Sequence, residues 1–552
     1  MFKRLIKSPL FWIFVISLLL RIYKLGIFPY GFHTDEVRVG WNALSILETG
    51  KDDHGDFLSL YYNTFGDYRP TGIFYLTIPS IIFFGNTEFA VRFSSALFGA
   101  LTSIALYYLV QEITNKKRVS FFAAFLISIS PWHIETSRAT SEVVISTFFA
   151  LFGIFYFIKV LKSKKWKYAI YSFLLFLISY SLYHSIRILA PLLVSLTFIY
   201  YFPRLKKILA NKLGLIVLLA ISAVTLVLSL SNNAEERFKQ VSISKDPDFN
   251  YEVLRIKSEN QRYTLVSRLF DNEKVIYTKK IISEYYKYFS PDFLIGNIAR
   301  PFRYTTPGVG LLTYAEIIIL AFGLITIFQK KNSSLPLLLL LISPLAAAIT
   351  LEDSPNLHRA FLMLPFIIMI ESYGLNYFFE IKKYRRIILT FVLGILFLNF
   401  TYFLHMYFNH SLSHKPFIKD LFVDSPTYRN IGAKEVVTKI ESVRGNYDKI
   451  IVTNFPDNLY PWYAFLTYKE PSVFNNSIIK NSNTVTYENI IFSDIKCPSD
   501  DSFTEFKEKR ILIIDNWECG SESKIKAGLA AKITGTINRP DGSIVYKLLE
   551  RN

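Results

Sequence analysis

Apolar runs of roughly 15–22 residues recur along this chain up to about residue 405, and no other feature restricts its fold so far. Stretches such as LFWIFVISLLL, FFALFGIFYFI and LGLIVLLAISAVTLVLSL are too continuous to be one face of a soluble helix. Bilayer hydrocarbon is about 30 Å thick and a helix rises about 1.5 Å per residue, so roughly twenty apolar residues cross it. The runs place about eleven spans, at 8–25, 90–110, 119–133, 143–160, 168–183, 188–203, 213–231, 309–329, 334–350, 361–380 and 387–405. The short runs that meet near Tyr183–Arg187 also read as a half-crossing hairpin. The start, MFKRLIKSPLFWIFVISLLLRIY, has the basic and apolar parts of a signal peptide, but no small-residue cleavage site follows and more spans do. An uncleaved first helix is expected.

The formal net charge is +18. A nucleic-acid surface would gather that charge on one soluble face. Here it is dispersed: Lys3, Arg4 and Lys7; Lys116, Lys117 and Arg118; Lys159, Lys162, Lys164, Lys165 and Lys167; Arg204, Lys206, Lys207 and Lys212; Lys330 and Lys331; Lys382, Lys383, Arg385 and Arg386. Each cluster flanks an apolar run, and every second gap carries one. That is the positive-inside pattern of a multi-pass protein of the cell membrane, with no nucleic-acid partner. With a cytoplasmic N-terminus, eleven crossings leave the C-terminus outside.

Segment 70–85, PTGIFYLTIPSIIFFG, is apolar but short and interrupted by Pro70, Gly72 and Pro79. Counting it as a span would invert every later loop, so it reads as an interfacial helix on the outer face. Residues 232–308 read as a long polar outer loop. Beyond about 406 the apolar runs shrink to strand length, as in KIIVT and RILIID, and a helix-like GAKEVVTKIES precedes the first. KITGTI and SIVYKLLE flank Arg539-Pro540-Asp541-Gly542, a hairpin signal. The expected fold is therefore a polytopic α-helical membrane protein over 1–405, with its first outer loop at about 26–90, and a small extracytoplasmic α/β domain over 406–552. The cysteines, Cys497 and Cys519, both lie in that domain, where a pairing between them is open.

This topology puts the acids, arginines and histidines of the short loops on one face. The first loop carries His33, Asp35, Glu36, Asp67 and Arg69, with Arg92 opening the next helix. The second, PWHIETSRATSEVV, carries His133, Glu135, Arg138 and Glu142; a later one, SLYHSIR, carries His184 and Arg187; another, EDSPNLHRAFLMLP, carries His358 and Arg359. Carboxylates so close to lipid are costly and tend to be functional. Arginine suits phosphate, because its planar fork grips two oxygens and never deprotonates. Plainer roles compete: Asp35 and Glu36 as helix N-terminal caps, the histidines as polar groups satisfied at helix ends, the arginines as side chains snorkelling to headgroups. Snorkelling explains one such arginine better than four on one side. No Walker loop, nucleophile elbow, zinc motif or dinucleotide fingerprint is present, and no ligand spacing requires a metal, though the acids leave room for a divalent cation.

The succession GFHTDEVRVGWNA, GDYRPTGIFYLTIPSIIFFG, TEFAVRFSSALFG and SPWHIETSRATSEVVIS resembles the GT-C superfamily of membrane glycosyltransferases. More narrowly it is similar to bacterial relatives of protein O-mannosyltransferases and of lipid A aminoarabinose transferases. YFSPDFLIG, TTPGVGLLTYAE and SPNLHRAFLMLP add to the likeness, which spans about residues 1–380. It implies an inverting transfer from a polyprenyl-phosphate-linked sugar to a hydroxyl of a protein, lipid or glycan on the extracytoplasmic face. It makes Asp35 the general base, Glu36 its companion, Arg69 a contact to the lipid phosphate, Glu142 a second acid and Arg359 a late-loop phosphate contact. Asp67 stands two residues before Arg69 rather than beside it, a departure from the family pattern that leaves its role open. Arg92, Arg138, His184, Arg187 and His358 complete the candidate substrate contacts. The competing class is a transporter of polyprenyl-linked lipid or polysaccharide. Paired repeats and mid-membrane charges would mark it, and neither is seen.

Overall fold

The computed structural model describes residues 8–64, 67–163, 165–204, 208–230, 242–243, 247–259, 269–296, 298–329, 333–351, 353–410, 432–454, 459–467, 470–480, 483–499, 510–519, 531–538 and 542–551. Lys3, Arg4, Lys7, Lys164, Lys206, Lys207, Lys330 and Lys331 of the basic clusters, and Arg539, Pro540 and Asp541 of the hairpin signal, lie outside the described residues. The chain forms two compact units, neither contiguous in sequence. One takes Met1–Tyr23, Leu60–Gly72 and Ser95–Tyr407; the other takes Lys24–Ser59, Ile73–Ser94 and Phe408–Asn552.

The first unit is a helical bundle. Its helices include Pro9–Ile22, Lys117–Ile129, Glu142–Ser163, Trp166–Tyr180, His184–Tyr201, Ile208–Ser229, Tyr314–Gln329, Met363–Glu380 and Arg385–His405. Leu106, Leu151, Phe157, Leu193, Ile319, Phe366 and Ile370 belong to one continuous buried core. Lipid gives helices no hydrophobic reason to associate, so small residues that let backbones meet matter more. Helices Tyr314–Gln329 and Met363–Glu380 use that device. A Cβ on Gly374 would fall 1.9 Å from the Ile319 carbonyl oxygen, and one on Gly323 would fall 2.1 Å from that of Ile370.

Among the described residues, five helices are long and apolar enough to cross a membrane: Glu88–Thr114, Glu142–Ser163, His184–Tyr201, Lys212–Ser229 and Arg385–Asn409. Shorter apolar helices cover Pro9–Ile22, Gly72–Phe84, Tyr314–Gln329 and Leu335–Ala348. The chain is a multi-pass membrane protein. One detail departs from the sequence reading. The run at 334–350 breaks after Leu335–Ile342 and resumes as the turn Leu345–Ala348, because Pro344 has no amide hydrogen to continue the helix. The described residues within 232–308 include helices Pro247–Glu259 and Glu273–Lys287.

Antiparallel strands β1 (Tyr61–Thr64) and β2 (Asp67–Pro70) also belong to the first unit and pair Tyr62 with Arg69. The helix that follows, Gly72–Phe84, has 13 residues, about 20 Å at 1.5 Å each, short of the roughly 30 Å of hydrocarbon. It ends on exposed Ile82, Phe83 and Phe84, an apolar tip suited to an interface.

The second unit is built on a seven-stranded sheet. Its strands are β3 (Lys449–Thr453), β4 (Ile479–Lys480), β5 (Thr484–Tyr487), β6 (Ile490–Ser493), β7 (Ile511–Asn516), β8 (Ala531–Asn538) and β9 (Ile544–Arg551). Their spatial order is β4-β5-β6-β3-β7-β9-β8, with β3 parallel to both β6 and β7 and the outer pairs antiparallel. Parallel central strands are covered on both faces, which is why β6 and β7 are buried along their whole length. Helix Ala433–Val443 seats Val436, Val437 and Ile440 in the interior.

Helix Thr34–Thr49, which carries the acidic pair, packs within this same unit. The Phe32 ring meets Trp462 edge-on at 5.5 Å and Trp41 meets Phe474 at 5.6 Å. Val37, Trp41, Ala43 and Leu44 form a buried face that needs such a partner.

Cys497 and Cys519 form a disulfide, with their Cα atoms 5.4 Å apart and a sequence separation of 22. Closing a loop of that size removes about 3 kcal/mol of unfolded-chain entropy. Reduction is therefore expected to lower the melting temperature of the sheet-bearing unit in a thermal scan, without a comparable shift in the helical bundle. An unchanged scan after complete reduction would refute this.

Candidate active site

The acidic pair divides between two environments. His33 caps helix Thr34–Thr49: its ring Nδ1 accepts the Asp35 amide at 3.1 Å, while its own amide donates to Glu36 Oε2 at 3.0 Å. Glu36 thus completes a capping box. Arg92 grips the same carboxylate with both arms of its fork, Nε to Oε1 at 2.9 Å and an Nη2 hydrogen to Oε2 at 3.0 Å. It also donates to the Leu25 and Gly31 carbonyls and lies over the Phe32 ring. The Glu36 side chain is 2% exposed and that of Arg92 is 0%. Asp35, one step round the helix, keeps a 27% exposed carboxylate with Oδ2 3.5 Å from His33 Nδ1. Asp35 is the acid that another molecule can reach; Glu36 and Arg92 occupy one another and fix the loop.

Arg138 likewise has partners inside the chain. It is fully buried and donates to the carbonyls of Leu20, Arg21 and Tyr23 and to the Tyr407 hydroxyl. The last carbonyls of a helix have no intrahelical partner, and Arg138 supplies one for Pro9–Ile22. Beside it Arg21 is also buried, 2.8 Å from His133 Nδ1 and donating to the Ile127 and Ser128 carbonyls. The sequence reading missed Arg21. Its signal was an arginine inside an apolar run, which is rare without a partner.

His184 and Arg187 hold the β1–β2 hairpin. His184 Nε2 lies 2.8 Å from the Tyr68 carbonyl, the residue before Arg69. Arg187 donates twice to the Tyr180 carbonyl, closing helix Trp166–Tyr180, and once to the Tyr61 hydroxyl, with the Tyr61 ring 4.9 Å beneath it. The hairpin exits through Gly72, whose amide donates to the Ser181 carbonyl at 2.9 Å. A Cβ there would come within 2.5 Å of that oxygen, so only glycine allows the approach. Asp67 opens β2 opposite Thr64, and Arg69 stands half-buried on the strand.

Elsewhere in the bundle, Glu142 opens helix Glu142–Ser163, where the positive end of the helix dipole favours an acid. The preceding Ser141 places its hydroxyl 3.3 Å from His358 Nε2, and the His358 ring stacks on Tyr304 at 3.9 Å. Half-buried Arg359 donates to Thr350 Oγ1 at 2.9 Å. The loops around Glu142 and His358 therefore meet, as do those around Arg69 and His184. Tyr61 and Tyr304 went unread in the sequence, where tyrosines are too common to single out. Among the described residues no group of three or more His, Cys, Asp or Glu is arranged to hold a metal ion.

Fold and family pattern together show the likeness to GT-C membrane glycosyltransferases that the first-loop motifs carried. Residues 68–230 match the family described as dolichyl-phosphate-mannose-protein mannosyltransferase. The whole chain shares its fold with ArnT from Cupriavidus metallidurans in the apo state, at 11% identity and a TM-score of 0.51, covering 98% of this chain and 96% of that one. The oligosaccharyltransferase AglB from Archaeoglobus fulgidus, solved with an inhibitory peptide and a dolichol-phosphate, aligns at 14% identity and a TM-score of 0.49 over 84% of this chain. The alignment spans 63% of the AglB chain's length. No curated protein matches.

Proposed function

We propose that the protein is an inverting glycosyltransferase that moves a sugar from a polyprenyl-phosphate donor to a hydroxyl acceptor on the extracytoplasmic face of the membrane. The observation that carries the reading is the split of the acidic pair, one carboxylate locked and one accessible on the same helix turn. Asp35 takes the acceptor proton as the hydroxyl oxygen attacks the anomeric carbon; the bond to the lipid phosphate breaks and its electrons leave with the phosphate. A carboxylate of ordinary pKa is ionised at neutral pH, so no large shift is needed for this work. Arg69 and Arg359 bind the phosphate and stabilise its developing charge. The mannosyltransferase family match over 68–230 and the ArnT-like fold support the reaction class. The eleven-span topology with an external C-terminus belongs to the same proposal.

The test is consumption of radiolabelled polyprenyl-phosphate hexoses by the purified, detergent-solubilised protein. Transfer by wild type is expected, and Arg69→Ala should raise KM for the donor about tenfold or more with the fold intact. If wild type binds the lipid but consumes no donor across a panel of sugars, the transporter reading takes its place.

A further inference from the structure

The loop that carries His358 and Arg359 is held from helix Glu273–Lys287, none of whose residues enters the reaction proposed above. Glu284 on that helix is 1% exposed, and its carboxylate has three partners: Lys287 Nζ at 2.8 Å, Lys280 Nζ at 3.4 Å and the Ser354 hydroxyl, which donates at 2.6 Å. Tyr288, four residues on and so on the same side, is fully buried, and its hydroxyl accepts the Asn356 amide at 3.1 Å. The Asn356 side-chain oxygen in turn accepts the Arg359 amide at 2.9 Å. From its other side the turn is bonded to Arg300, whose amide donates to the Pro355 carbonyl and whose carbonyl accepts the Leu357 amide.

The burial of Glu284 has a purpose that its lysines do not supply. Pairs at i−4 and i+3 on one helix form equally well with the carboxylate at the surface, where they are worth little. Taking a carboxylate out of water is costly and has to be offset. Burial pushes the Glu284 carboxyl up; the bonds from Lys287 and Ser354 and the charges of both lysines outweigh it and hold the group below the usual carboxylate range. It is therefore an anion at neutral pH. What the buried position adds, and the surface could not, is the Ser354 hydroxyl, a neutral donor on a charged acceptor at the start of the 354–359 turn. The anion ties the turn to the helix.

The far end of the turn is the end that matters to a ligand. Arg359 is half-buried, with its amide fixed by Asn356 and one guanidinium nitrogen donating to Thr350 Oγ1 at 2.9 Å. A planar fork binds two phosphate oxygens only when it is presented in the right plane, so the placement of its backbone bears directly on affinity. We infer that Glu284 is a positioning residue, which acts through Ser354 and the turn that follows to set where Arg359 presents its guanidinium to a lipid phosphate. The inference rests on the reading of Arg359 as a phosphate contact, and does not require that sugar be transferred.

Equilibrium binding of a polyprenyl phosphate to the purified full chain in detergent tests it, with Ser354→Ala, Glu284→Ala and Arg359→Ala taken singly and in pairs. Each single change is expected to weaken binding about tenfold, and each pair no more than its stronger member, because all three act through one guanidinium. A general loosening of the fold would instead lower the melting temperature and let the effects of Ser354→Ala and Arg359→Ala multiply. Ser354→Ala removes a single hydroxyl, so it carries the test if Glu284→Ala fails to fold. Unchanged binding in Ser354→Ala, multiplied effects in its pair with Arg359→Ala, or a wild type that binds no polyprenyl phosphate would each overturn the inference. Donor consumption measured on the same preparations separates the two ideas. Lipid-phosphate binding with non-additive losses but no sugar transfer keeps Glu284 in its role and removes the transferase. Transfer with undisturbed binding in Ser354→Ala does the reverse.

Discussion

Asp35→Asn is expected to reduce sugar transfer by about 10²–10⁴-fold, the usual worth of a positioned general base, while leaving the protein folded. The two halves of that expectation have separate origins. Asparagine has the shape of aspartate and leaves the backbone bond from residue 35 to His33 in place, so the start of helix Thr34–Thr49 is retained. What the neutral side chain gives up as a first-turn acid on a helix dipole is about 0.3–1 kcal/mol. What it gives up as a base is the whole capacity to hold the acceptor proton. Donor consumption and thermal melting measured side by side separate the roles. Full activity in the variant would remove Asp35 from the chemistry, and activity lost only together with the fold would make it a cap.

How far the sequence led is clearest at this helix. The run TDEV announced an acidic helix start, and the start is there, capped by His33. Which of the two acids would be reachable was not legible. Consecutive residues on a helix point about 100° apart, so one can face solvent while its neighbour is buried, and the direction of the core decides which. That core is made of Trp462, Phe465 and Phe474, more than four hundred residues further on in the chain and invisible to local pattern. Separation along the chain also hid the partners of Arg92 and Arg138. An arginine at the end of an apolar run looks alike whether it snorkels to lipid or closes a buried pair, and the partner of Arg92 lies 56 residues away. Strands read better where they are buried on both faces: KIIVT and RILIID predicted β3 and β7 almost to the residue. The β1–β2 hairpin, only four residues a side and held by His184 and Arg187, carried no such signal.

Glu36→Ala should be the most destabilising single change in the first loop, costing about 3–5 kcal/mol, because it strands a buried charge rather than merely deleting a contact. Arg92 is fully buried and would keep its guanidinium charge without its carboxylate partner, beside the neutral Leu25 and Gly31 carbonyls. The capping-box bond to the His33 amide would be lost as well, adding to the cost. Glu36→Gln retains an acceptor but removes the charge, and should fall between wild type and Glu36→Ala. The pair is best separated from its parts by a double change: Glu36→Met with Arg92→Met removes both charges, replaces them with flexible apolar volume, and is expected to recover much of the stability that either single change costs. Activity in that double variant then reports on Asp35 alone. If the loop holds its shape, an accessible Asp35 continues to turn over donor, and Glu36 is a positioning residue. If the double variant is stable yet as inactive as Asp35→Asn, Glu36 takes part in the chemistry despite its burial, and the division of labour within the acidic pair has to be drawn the other way.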